Sequence, residues 1–223
     1  MSRLPATERR KQLLDTAARL FAERGYARAT TAEIARAAQV TEPIIYRHFS
    51  SKKELFIALI NRTGEETLRL WKQQLHKAPD PAERLRRLIG ANPLVSNRGR
   101  GAYRVIVQAM TEISDPDILA ALAHHIRVLH EFVAGEVVAA QEAGFVSERF
   151  SASITAWMLL HLGLGYGVLA PLDIPGHAQD ESGVRVREVI EQLMLGDSTR
   201  QAENLRKHAR RAAEDRGDAE DAA

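Results

Sequence analysis

Apolar residues recur at the three- and four-residue spacing of amphipathic helices along most of the chain, and no segment of useful length alternates with the period of a strand. Leu13, Leu14, Ala17, Ala18, Leu20 and Phe21 form one such stripe over residues 7–24, and Gly25 is a natural stop. A second long stripe starts at Lys52 and carries Leu55, Phe56, Leu59, Ile60, Leu68, Trp71 and Leu75 into the seventies. Pro79 and Pro81 then punctuate the chain, residues 82–91 read as helix before a break at Asn92-Pro93, residues 96–101 read as a loop, and 102–113 as helix. Asp115-Pro116 opens a long amphipathic helix that runs to about residue 143 and is closed by Gly144. The pattern predicts an all-α class.

Residues 30–56 hold the most specific pattern, two short helices meeting at a tight turn. The first is expected to begin at Thr31 as its cap, with Glu33 in the first turn and Ile34, Ala35 and Ala38 on one face. Gln39 and Val40 make the turn, with Val40 expected to plug the small core. Thr41 caps the next helix, where Pro43 is tolerated because first-turn amides have no intrahelical partner. At 100° per residue, Ile45 and Phe49 face the core while Thr41, Ile44, Arg47 and His48 stay outside. That is the signature of a helix-turn-helix.

The outward set suits a major groove. An arginine can pair with guanine O6 and N7, and an apolar group can meet a thymine methyl, which assigns base reading to Arg47 and Ile44. Tyr46, His48 and Lys52 supply hydroxyl, imidazole and ammonium donors for phosphate oxygens, contacts that hold register without choosing sequence.

Residues 9–56 strongly resemble the tetracycline-repressor family of bacterial transcription regulators. The shared order is an amphipathic first helix, a Gly-Tyr break, a capped second helix, a recognition helix ending Tyr46-Arg47-His48-Phe49, and a lysine-led fourth helix. The resemblance implies an amino-terminal three-helix helix-turn-helix domain joined by a long fourth helix to a helical effector-binding and dimerisation domain. It places DNA contacts on Thr31, Thr41, Glu42, Pro43, Ile44, Tyr46, His48 and Lys52, with Arg47 at a variable position. Glu42 and Pro43 stand where many members carry lysine and glycine; a glutamate cannot bind phosphate, although it can accept from cytosine N4.

Charge agrees with this organisation. The net charge of the 223 residues is only +2, but residues 1–53 hold 11 Lys or Arg against 5 Asp or Glu, net +6, leaving 20 against 24, net −4, for the rest. Only the amino-terminal part has a polyanion-binding balance. We therefore expect a DNA-binding domain over 1–53, a ligand-binding and dimerisation domain over 54–196, and a charged, partly disordered tail over 197–223. The tail's first part is expected to extend as exposed helix through Leu205, and its Arg206, Lys207, Arg210 and Arg211 read as a solvated face. With no cysteine, disulfides, thiol sensing and cysteine-ligated zinc are excluded. The polar, basic opening ten residues do not read as a signal peptide, so a cytoplasmic protein is expected.

Residues 150–172 contain no Asp, Glu, Lys or Arg and must be weighed as a membrane span. Ser151, Ser153, Thr155, His161 and three glycines dilute the stretch and Pro171 ends it, so a helix buried between its own core and a partner is the better reading. Trp157, His161, Gly163, Gly165 and Gly167 are expected at a dimer interface with Val186, Val189, Ile190 and Leu193 of a helix within 184–195. The resemblance implies that these two helices form a four-helix interface across a twofold axis.

An effector pocket should be apolar with a few orienting polar groups. Trp71, Tyr103, Val107, Met110, His125, Leu129, Trp157 and His161 are the candidates, and a hydrophobic or amphipathic small molecule the expected ligand. Eight histidines invite a metal reading, but the His125 to His130 spacing splays the pair around a helix and His130-Glu131 lacks a second histidine at the zinc-protease spacing, so neither metal nor cofactor is expected. G-x-S-x-G, P-loop and cysteine nucleophile signatures are missing. A ligand-responsive repressor of a palindromic operator is the leading function; the alternatives are an all-α enzyme and an effector-independent DNA-binding protein.

Overall fold

A computed structural model of the chain describes residues 4–90, 99–169, 172–177, 179 and 181–196. The described residues form nine helices: α1 (Ala6–Arg24), α2 (Thr31–Ala37), α3 (Glu42–Tyr46), α4 (Lys52–Leu75), α5 (Pro81–Gly90), α6 (Gly99–Met110), α7 (Pro116–Glu142), α8 (Ala152–Leu169) and α9 (Val186–Leu195). Extended pairing among these residues is limited to one isolated bridge, Gln179 with Arg185. The expected break at Asn92-Pro93, Pro171 and the carboxyl tail with Leu205, Arg206, Lys207, Arg210 and Arg211 lie outside the described residues.

The expected stripes are the buried ones. In α1, Leu13, Leu14, Ala17, Leu20 and Phe21 are buried and Ala18 is half-buried, and Gly25 at φ 81° ends the helix in a conformation that a side chain rarely adopts. Two boundaries moved. Gly99–Gly101, expected in a loop, open α6, and that helix ends at Met110: Thr111 Oγ1 donates back to the Gln108 carbonyl, and Asp115 Oδ1 accepts from the Asp117 and Ile118 amides at the start of α7. The recognition helix is also shorter than expected. After Tyr46 the chain tightens, with the His48 and Phe49 amides both donating to the Ile45 carbonyl, which still delivers Phe49 to the core.

The chain divides into two compact units. Within the described residues, the first comprises 4–70 and 99–129. Its centre packs Phe21 edge-on to Phe56 at 5.4 Å, with Tyr26 stacked on Phe56 at 4.2 Å and the fully buried Leu13, Ile34, Ile45, Leu55 and Ile60 around them. Gln108 Nε2 of α6 donates to the Phe21 carbonyl at 2.6 Å, a second bond to an oxygen that also accepts from the Gly25 amide, and so ties α6 to the end of α1. Lys53, at the start of α4, pairs with Asp117 at 2.6 Å and Asp115 at 3.1 Å at the start of α7, and the bonds to Asp117 and then Asp115 raise its pKa.

The second unit comprises 71–90 and 130–196 within the described residues. Trp71 stacks on Phe132 at 5.8 Å. Arg84 of α5 grips both oxygens of Glu136 at 2.6 Å and also donates to the Leu75 carbonyl, so the largely buried carboxylate has a bidentate partner. α8 buries Thr155, Ala156, Leu159, Leu160 and Gly163. Among the described residues it is the one helix long and apolar enough to cross a membrane, with a mean hydropathy of 1.4 over 18 residues.

Candidate nucleic-acid interface

The two short helices are held by local chemistry that the sequence states almost completely. A capping box opens α2: the Glu33 amide donates to Thr30 Oγ1 at 3.2 Å and the Thr30 amide donates to Glu33 Oε2 at 3.0 Å. The cap is Thr30, one residue earlier than expected, because the Thr-x-x-Glu spacing needed for both bonds runs from 30 to 33. The bond from the Thr30 amide, reinforced by Arg24, holds the Glu33 carboxyl below its usual range. At the turn, Gln39 takes φ 56° while the Val40 amide donates to the Ala35 carbonyl at 2.9 Å, leaving Val40 half-buried. Thr41 occupies the N-cap position of α3 without a side-chain capping bond, and Pro43 lies in the first turn.

Ile45 and Phe49 are buried and Arg10 lies over the Phe49 ring at 4.4 Å, which fixes the inward face of α3. Thr41, Pro43, Tyr46 and Arg47 are exposed, and Glu42, Ile44 and His48 are half-buried. Thr31, now the first residue of α2, donates its hydroxyl to Glu42 Oε1, and its oxygen lies 3.3 Å from the Tyr46 hydroxyl. Thr31, Glu42 and Tyr46 therefore act as one polar cluster, with the Thr31 proton directed at the carboxylate and the Tyr46 proton at the Thr31 oxygen.

Lys52 departs from its expected place. Its ammonium lies 3.1, 3.3 and 3.2 Å from the carbonyls of Tyr26, Ala27 and Ala29, and 4.5 Å above the Tyr26 ring. Three donors meet three acceptors, so this cation is engaged in pinning the α1–α2 loop to the start of α4. Sequence reasoning missed two other cations, Arg28 in that loop and Arg36 on α2; like Arg47, both are exposed and have no ion pair among the described residues. Their signal was the net positive charge of the segment, which does not say which side chains remain unpaired.

The expected ligand residues fall in different units. Tyr103, His125 and Leu129 are buried in the first, with Val107 half-buried there and Met110 exposed at the end of α6, so Met110 leaves the interior set. In the second, Trp71 is buried, Trp157 half-buried and His161 exposed. His130, Trp157 and His161 form a stacked run with ring separations of 4.3 and 6.0 Å, and His130 Nε2 lies 3.0 Å from the Ser153 carbonyl. Among the described residues no group of three or more His, Asp or Glu is arranged to hold a metal. Among the described residues four buried side chains keep polar atoms without a partner: Trp71 Nε1, the Tyr103 hydroxyl, Gln108 Oε1 and both ring nitrogens of His125. Burial raises the Tyr103 pKa, and burial followed by the neighbouring His124 pushes that of His125 down to about 4, so both are neutral near pH 7.

The expected dimer residues sit on two helices of the second unit. On α8, Gly163 is buried, Gly165 and Gly167 are half-buried, and Ile154, Met158, His161 and Leu162 form an exposed stripe one turn apart. On α9, Val186 and Val189 are exposed, Ile190 is half-buried and Leu193 is 81% exposed.

Residues 13–59 match the family described as bacterial regulatory proteins, tetR family. The chain is 36% identical over 119 residues to the HTH-type transcriptional activator FasR of Mycolicibacterium smegmatis, covering 53% of this chain and 54% of that protein, so it aligns with only about half of this relative. It is 25% identical over 174 residues to the HTH-type transcriptional regulator UidR of Escherichia coli K12, covering 78% of this chain and 86% of the relative. A similar solved structure is that of a transcriptional regulator from Saccharomonospora viridis in complex with choline, with a TM-score of 0.70, 24% identity, and coverage of 84% of this chain and 93% of that one.

Proposed function

We propose that the chain, whose residues 13–59 match the tetR family of bacterial regulatory proteins, is a cytoplasmic, homodimeric repressor that binds a palindromic operator and is released by a small, largely apolar effector. The observation that carries this reading is the outward side of α3 and of the turn that follows it, where Tyr46 and Arg47 are exposed and Ile44 and His48 half-buried, while Ile45 and Phe49 lock the inward side. Arg47 and Ile44 read base edges. Thr41, Tyr46, His48, Arg28 and Arg36 meet phosphates, and Lys52 positions the loop beneath them. DNA binding belongs to residues 1–53 and effector binding and dimerisation to 54–196.

Dimerisation supplies the switch. Two recognition helices must lie roughly 34 Å apart, or a multiple of that, to enter successive major grooves. The exposed stripes of α8 and α9 are the surfaces available for twofold pairing, each side chain contributing on the order of 1 kcal/mol when its remaining surface is covered. The same stripe explains the apolar character of α8 without a membrane, since its other face is packed within its own unit. A ligand that prefers a protomer with altered helix spacing lowers DNA affinity by the same coupling factor that DNA imposes on the ligand. FasR, a relative, carries the name of an activator, so the sign of regulation depends on where the operator lies relative to its promoter.

The test is to select bound fragments from genomic DNA and screen small molecules for displacement. A palindromic consensus released by an apolar compound is the expected result. A ligand that binds tightly while operator affinity stays unchanged would exclude the inducer mechanism, and binding that no compound affects would favour an effector-independent DNA-binding protein.

A further inference from the structure

Between α4 and α7, within the first unit, lies a cavity of about 230 Å³. Gly64 and Leu68 of α4 and His125, Val128 and Leu129 of α7 form its walls. His125 is only 3% exposed, yet neither ring nitrogen has a hydrogen-bond partner among the described residues. A buried imidazole left without a partner is costly, so an unpaired ring that lines a cavity is a group in want of a ligand.

Gly64 makes room for that ring. A Cβ at this position would fall 2.6 Å from His125 Nδ1 and 3.4 Å from Cε1, closer than the side chain tolerates, so the Nδ1 edge rests against α4 and the Nε2 edge faces away from Gly64. Charge narrows the chemistry further. The remaining lining side chains are Asn61, Glu65 and His124, all exposed, and neither lysine nor arginine is among them. His125 itself is neutral near pH 7. A carboxylate or phosphate entering here would meet a carboxylate at the rim and no cation, which is prohibitive for a buried anion. The volume suits a small ligand. An apolar cavity of roughly 150 Å³ holds benzene, so this one suits a single ring with a small substituent.

Resting on the reading of the helical body as an effector domain, we infer that this cavity takes a small, uncharged, ring-sized molecule whose hydroxyl pairs with the His125 imidazole. Leu68, Val128 and Leu129 hold its apolar body. The effector would then be a phenol-like alcohol, not an acid or an acyl-coenzyme thioester.

Three probes of one shape separate the contributions: 4-methylphenol, toluene and 4-methylbenzoate, titrated at pH 7.4 into the full chain by calorimetry and by NMR of ring-labelled histidines. The phenol is expected to bind one per chain, about tenfold tighter than toluene, and to move the His125 ring resonance, with 4-methylbenzoate not binding. In His125→Phe the preference for the phenol over toluene should disappear, and in Gly64→Ala binding should weaken. Equal affinity for all three probes in the wild-type chain, an unmoved His125 resonance, or an undiminished phenol preference in His125→Phe would overturn the inference. A compound that releases DNA without disturbing His125 would overturn it too, yet leave the repressor reading standing; a phenol that binds at His125 without changing operator affinity would do the reverse.

Discussion

Thr30 and Thr31 are identical neighbours with different work. The Thr30 hydroxyl closes a capping box with Glu33, whereas the Thr31 hydroxyl points to Glu42 at the start of the recognition helix. Thr30→Ala should lower the stability of the chain by about 1 kcal/mol in a urea titration. Thr31→Ala should move the midpoint by less than about 0.5 kcal/mol and act on operator affinity instead. His125 provides a pH signature. Its folded pKa of about 4 lies below the usual 6.5, so the unfolded chain takes up the proton first as pH falls. The stability associated with the neutral ring is therefore complete above about pH 6.5 and is lost as pH drops towards 4, an effect on the order of 3 kcal/mol. Urea titrations at pH 7 and 4.5 should show an acid-dependent loss about 2 kcal/mol larger in the wild-type chain than in His125→Phe; equal losses would mean that the ring is hydrated or paired in solution. At this scale the sequence was only partly legible. Thr30 was recoverable from its spacing to Glu33, but the Gly64–His125 approach joins distant positions that no local pattern links, and the engagement of Lys52 by three carbonyls is invisible until the α1–α2 loop is folded.

Helices were read far better than their ends. Most of the stripes expected for α1 and α4 reappear as buried residues, because burying an amphipathic face is the dominant local requirement and its period is written in the residue types. Ends depend on competing caps. α6 was displaced towards the amino terminus, with Asp115 organising the start of α7, and α3 closes early because two amides share the Ile45 carbonyl. α8 and α9 show what periodicity leaves open: it identifies an apolar face but not what covers it. The exposed Ile154, Met158 and Leu162 on one helix and Val186, Val189 and Leu193 on the other are the proposed twofold surface. A charge at the most exposed of these should be tolerated by the monomer and not by the dimer. Leu193→Glu is expected to shift sedimentation from dimer to monomer at micromolar concentration while the helical circular dichroism is retained, and to weaken operator binding at least tenfold. A variant that sediments as the wild type does would remove α9 from the interface.

At the scale of the molecule, the net positive balance lies in the segment that holds the helix-turn-helix, net +6 over residues 1–53 against −4 for the remainder. That asymmetry orients the protein on a polyanion and makes its affinity fall with salt, whereas base reading rests on few side chains. The most direct measurement is therefore a fluorescence anisotropy titration of the selected palindromic fragment and a scrambled duplex with the wild-type chain, Arg47→Ala and Tyr46→Ala, each at two salt concentrations. The wild type should prefer the palindrome, and Arg47→Ala should lose at least about tenfold on that fragment, with little change on the scrambled duplex. Tyr46→Ala should weaken both, and all three proteins should keep the same helical content. Unchanged affinity for the palindrome in both variants would contradict the assignment of the outer face of α3 to DNA.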